Sequence, residues 1–87
     1  MITKHEQEFK MLGLNIAYYR KLAGLSQLQL AESIGISRTH MSNIEAPNVP
    51  TSISLETLFD IANALEIDVH VLLIFKPESI NLSSYTN

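Results

Sequence analysis

The sequence predicts an all-α fold of five short helices, and three observations carry that prediction. Apolar residues recur at steps of three and four over 9–23 and again over 55–65, and residues 26–45 hold two more helix patterns joined at a glycine. The chain has 87 residues, is 46% hydrophobic and contains no cysteine, so one apolar core must hold it without disulfides or a thiolate metal site. That length leaves no room for a second domain and lies near the lower size at which a core suffices unaided.

Helix 1 follows from Phe9, Leu12, Ile16, Tyr19 and Ala23, which draw one stripe, and Gly24 is expected to end it. Helix 2 opens on Ser26 with Gln29 three residues on, the capping-box pairing that satisfies free amides at a helix start. Leu30, Ala31 and Ile34 give it one apolar face. Gly35 tolerates positive φ where the helix must stop abruptly, and Ile36 is expected to be a buried pivot. Ser37 caps helix 3, whose apolar Met41 and Ile44 are three apart and face inward, leaving Arg38, Thr39, Ser42 and Asn43 on the wetted side. The stretch 46–52, with Pro47 and Pro50, cannot continue a helix. Leu55, Leu58, Ile61, Ala62 and Leu65 then predict helix 4, capped by Ser52 or Ser54, and Asp68 is placed to cap a short helix 5 carrying Val69, Leu72 and Leu73. The segment from Lys76 to Asn87 is polar, contains Pro77 and shows no period. The expected organisation is one domain over 1–75 and a flexible polar tail over 76–87.

Two short helices meeting at a glycine turn have the form of a helix-turn-helix. The residues in and around it, Arg20, Gly24-Leu25-Ser26-Gln27, Leu30-Ala31, Gly35-Ile36-Ser37 and Ile44-Glu45, occur in the order and spacing of one known group. Over about residues 9–74 the chain resembles the Cro/C1 (XRE) family of bacterial and phage DNA-binding proteins. The resemblance implies a five-helix, lambda-repressor-like domain that binds double-stranded DNA through helix 3. It implies that Gln27 touches a backbone phosphate, against the plainer alternative of a polar first-turn residue. It also implies that Arg20 and Glu45 form a salt bridge tying helix 1 to the end of helix 3, which removes both from the DNA-contacting set.

The chemistry of helix 3 fits that use. A guanidinium at its first turn, Arg38, can donate two hydrogen bonds to guanine O6 and N7, or can simply neutralise phosphate. Thr39 has a methyl for thymine, Asn43 an amide for adenine, and Ser42 a hydroxyl for base or phosphate. His40 points sideways, as a solvated residue or a phosphate contact. Free amides at helix starts attract phosphate without any lysine, which brings in Ser26 and Ser37. Lys10, Tyr18 and Lys21 are lesser candidates for the rim. The chain departs from the family pattern where Glu45-Ala46-Pro47 lacks the glycine that usually follows helix 3, and where Ala17, Asn43 and the loop 46–54 lack common basic residues.

Net charge is −3, low for a DNA binder, but it is unevenly spread. Through Glu45 there are five cations against four carboxylates, whereas from Ala46 onward Lys76 stands against five carboxylates. The acidic charge therefore lies in the C-terminal half, away from the proposed DNA surface.

The apolar run Val69 to Phe75 is denser than a half-buried final helix needs. Either it packs wholly onto helices 1 and 4, or part of it, drawn from Val69, Leu72, Leu73, Ile74 and Phe75, joins two copies in a homodimer. A two-fold dimer would present two helices 3 about 34 Å apart, so an inverted-repeat operator is expected. The expected function is a sequence-specific transcriptional regulator, more often a repressor in this family. The alternatives are a restriction-modification controller protein, or an antitoxin or other protein-binding module with a toxin or protein partner and weak DNA binding. No enzyme is expected, because His5, His40 and His70 share no metal-ligand spacing and no glycine-rich phosphate loop or nucleophile with a base can be assembled. No cofactor or metal is expected either. The chain lacks a membrane-spanning run or an apolar-centred leader, from which a cytoplasmic location is expected.

Overall fold

In the computed structural model, which describes residues 4–49 and 51–75, the chain forms α1 (Glu6–Leu22), α2 (Gln27–Ile34), α3 (Arg38–Glu45), α4 (Leu55–Leu65) and α5 (Val69–Leu72). The expected tail, 76–87, lies outside the described residues. Glu6 and Glu8 in the first turn of α1 and Arg20 and Lys21 in its last complement the helix dipole at both ends. Leu12 and Ile16 enter the core, while Phe9 and Tyr19 pack part-buried against it. Ala23 does not belong to the buried stripe: the helix has ended at Leu22, so Ala23 is an exposed cap. Met11, Gly13 and Arg20 are buried in its stead, because α1 is covered by α3 and α4 on its inner side and by α5 beside them.

The helix-turn-helix is built as its sequence suggests. The Ser26 hydroxyl accepts from Gln29 N at 3.0 Å and the Gln29 Oε1 accepts from Ser26 N at 2.8 Å, closing a reciprocal box at the start of α2. Gly35 stops α2 at φ +78°, a conformation in which a Cβ would crowd the following carbonyl. Ser37 then caps α3 by accepting from His40 N at 3.0 Å. Leu30, Ala31, Met41 and Ile44 meet α1 and α4 in a shared core. Ile36 is half-buried rather than a fully enclosed pivot, since it lies in the turn at the edge of that core.

Beyond α3 the backbone turns extended at Ala46, φ −73° and ψ 124°, so the exit needs no left-handed residue and no glycine. Ser54, not Ser52, caps α4 by accepting from Thr57 N at 3.1 Å. Leu58, Ile61, Ala62 and Leu65 supply the inner face of α4. Leu55 does not join them: it is the first helical residue, before the chain has turned inward, and is 62% exposed. The helix closes at Glu66 in the left-handed region, φ 57°, without a glycine there. Asp68 precedes α5 in extended conformation but its side chain makes no capping bond.

Candidate nucleic-acid interface

The placement of α3 depends on how closely α1 can approach it. A Cβ on Gly13 would overlap the carbonyl oxygen of Ile44, with Ile44 C at 3.3 Å and Glu45 Cα at 3.4 Å from the same point. Glycine at this position lets the backbone at the end of α3 lie directly against α1. Two helical turns further along α1 lies Arg20, whose Nε donates to Glu45 Oε2 at 2.7 Å and whose Nη2 donates to Glu45 Oε1 at 3.0 Å. The Nη1 of the same guanidinium donates to the carbonyl of Leu25 at 2.7 Å, just ahead of α2. Both charged groups are buried, with Arg20 7% and Glu45 6% exposed, and their geometry is the bidentate one that orients two elements rather than adding much net stability. Among the described residues no buried side-chain polar atom lacks a hydrogen-bond partner.

This clamp leaves one side of α3 free. Arg38, Thr39, His40 and Asn43 are exposed and Ser42 is half-buried, while Met41 and Ile44 are inside. Arg38 has no carboxylate partner among the described residues, and Glu45 is matched internally by Arg20. The outward face of α3 therefore carries one uncompensated positive charge surrounded by hydrogen-bonding groups. Ser26 and Ser37 lie at the starts of α2 and α3, with their hydroxyl oxygens already accepting cap bonds. Gln27 is half-buried, and its Nε2 donates to Glu45 Oε1 at 3.0 Å, so it is attached to the clamp and not a loose polar residue. Of the rim candidates, Tyr18 and Lys21 are exposed and Lys10 is half-buried.

The C-terminal apolar run divides sharply. Leu72 is 0% exposed, because α5 is a single turn whose inner side plugs the space beside α1 and α4. It is therefore removed from the residues expected to join two copies. Val69 and Phe75 pack part-buried on the chain's own core, whereas Leu73 and Ile74 are each 47% exposed. Asn15 fixes that pair: its Nδ2 donates to Leu72 O at 2.9 Å and to Ile74 O at 3.0 Å, holding the end of α5 against α1. Neither Asn15 nor Gly13 was singled out from sequence. A glycine within an otherwise periodic helix is a signal of close backbone approach and was available, but nothing in the spacing marks Asn15.

A family model described as Helix-turn-helix matches residues 16–72. The HTH-type transcriptional regulator SinR of Bacillus licheniformis is 38% identical over 69 residues, covering 79% of this chain and 61% of that protein. The control protein C.SmaI of Serratia marcescens is 38% identical over 64 residues, covering 74% of each. A crystal structure of SinR, the master regulator for biofilm formation, in complex with DNA superposes with a TM-score of 0.66 at 36% identity, covering 72% of this chain and 98% of that one. The match spans only 61% of the length of the SinR relative, so the resemblance concerns this domain and not that whole protein.

Proposed function

The chain belongs to the helix-turn-helix family, of the XRE type, and on that premise we propose that it is a sequence-specific regulator of transcription that reads double-stranded DNA through α3. The carrying observation is the outward face of α3, where Arg38 stands exposed with no carboxylate partner among the described residues while Glu45, the carboxylate of the same helix, is neutralised from within. A rod of about 12 Å with a hydrogen-bonding side fits the major groove, and a guanidinium at its first turn reaches base edges. Ser26, Gln27 and Ser37 sit where free helix amides meet the sugar-phosphate backbone, a positioning contact without sequence information.

The protein would act in the cytoplasm as a homodimer joined at Leu73 and Ile74, repressing by occupying an inverted repeat. The similarity to the control protein C.SmaI, which covers 74% of both chains, favours a second version in which the same dimer controls a restriction-modification operon. Selection of bound duplexes from a random pool, followed by anisotropy titration at low and moderate salt, tests the proposal. Recovery of one symmetric site, with binding that weakens as salt rises, supports it. No enrichment together with salt-independent binding sinks it and favours a protein-binding module instead.

A further inference from the structure

Between α2 and α4 lies a groove of about 570 Å³ that is open to solvent, a size within the range of small-ligand sites. Its floor is apolar, formed by half-buried Leu25, Ile34 and Ala64, and its rim is polar, formed by exposed Gln29, Ser33, Asp60 and Asn63. No residue of α3 lines it, so the groove does not share the face assigned to DNA. The hydrogen-bonding capacity of the rim is only partly used. Gln29 Oε1 accepts from Ser26 N, which leaves its Nε2 to donate, and Ser33 Oγ donates to Leu30 O at 2.7 Å, which leaves that oxygen to accept. The Asp60 carboxylate and the Asn63 amide have no side-chain partner among the described residues. Charge on the two walls has one sign: α2 and α4 carry Glu32, Glu56 and Asp60 and no lysine or arginine. Such walls repel phosphate and favour a cation.

We propose that this groove docks an arginine side chain carried on a peptide segment of a partner protein. The planar fork of a guanidinium matches the Asp60 carboxylate with two parallel hydrogen bonds, and its remaining N–H groups meet the free acceptors Ser33 Oγ and Asn63 Oδ1. Its methylene stem covers the apolar floor of Leu25, Ile34 and Ala64. A free small cation uses only part of the site. The space is larger than one side chain fills, and Gln29 Nε2 and Asn63 Nδ2 are donors for which a cation has no acceptor, whereas the backbone carbonyls of a peptide supply them. The inference goes beyond DNA reading and does not depend on it.

The test titrates the full chain, followed by amide NMR spectra, with three probes: an acetylated and amidated Leu-Arg-Leu peptide, the same peptide with citrulline for arginine, and acetyl-arginine amide. The arginine peptide is expected to shift the backbone amides of Ser33, Asp60, Asn63 and Ala64 and the side-chain amides of Gln29 and Asn63. Citrulline keeps the shape and removes the charge, so its peptide should bind about tenfold more weakly, the scale of one hydrogen bond to a charged group. Acetyl-arginine amide should bind about fivefold more weakly than the arginine peptide, because it brings no flanking side chains to the floor. Asp60→Asn should weaken the arginine peptide about tenfold while melting as the wild type does, since Asp60 is exposed and unpartnered among the described residues. No shifts at millimolar peptide, shifts centred on α3, equal binding of the citrulline peptide, or wild-type affinity in Asp60→Asn would each overturn the inference. Equal affinity for acetyl-arginine amide would make this a small-molecule site and overturn the peptide assignment. Concentration-dependent shifts of the same resonances without any probe would give the groove to a second copy of the chain, and that too would overturn it.

Discussion

Replacing Gly13 by alanine sets two effects of opposite sign against each other. In a helix interior alanine is favoured over glycine by about 1 kcal/mol, so propensity alone predicts a more stable protein. The new methyl, however, would overlap the Ile44 carbonyl oxygen, with two more backbone atoms of α3 at 3.3 and 3.4 Å. No flexible side chain is available to give way. The end of α3 must move bodily, at an overpacking cost of about 3 kcal/mol, the upper part of the usual range. The balance is a loss of about 2 kcal/mol, and for a domain of this size that lowers the melting temperature by about 10 °C. Thermal unfolding followed by circular dichroism at 222 nm measures it directly. Because α3 carries the proposed DNA face, affinity for a selected duplex should fall as well. A Gly13→Ala protein that melts at or above the wild-type temperature would refute the close-approach argument, and with it the explanation of how α3 is placed.

Three other outcomes follow from the same structure. Arg38→Ala should lose discrimination at one base position in each half-site, at about 1 to 3 kcal/mol, and an unchanged selection profile would rule Arg38 out as a base contact. Leu73→Asp with Ile74→Asp should convert a dimer to a monomer in sedimentation while leaving protomer melting nearly unchanged, since both side chains are exposed; persistence of the dimer would place the two-fold contact elsewhere. Glu66→Gly relieves the left-handed backbone at φ 57° and should stabilise the fold by about 0.5 to 1 kcal/mol in urea unfolding, with no gain arguing that Glu66 contributes more than its backbone.

Local signals were the most legible part of the sequence. Ser26 with Gln29, Gly35 and Ser37 each announce a cap or a stop through bonds made within three or four residues, and all of them form. The inward residues of α3 and α4 were equally plain, because periodicity reports one-sided burial directly. Failures concentrated where the deciding partner is remote. Leu72 belongs to an apolar run that fits either a core or an interface, and only the position of α1 and α4 around it puts it inside. Leu55 obeys the period but precedes the point where α4 reaches the core. The end of α4 carries no glycine to mark its left-handed closure at Glu66. The Arg20–Glu45 bridge spans 25 residues and came from family resemblance, not from spacing, and the attachment of Gln27 to it was not anticipated at all.

Gly13 and Asn15 sit two residues apart on α1, one bearing on the end of α3 and the other gripping the end of α5. The lever arm between the groove-entering rod and the Leu73–Ile74 edge is thus a single stiff segment with no hinge in it. Two copies joined along that edge would behave like a caliper with a locked jaw. An added base pair between half-sites moves them about 3.4 Å apart and rotates them about the duplex axis. Such a protein should reject that operator outright, where a regulator with a slack connector would stretch to meet it.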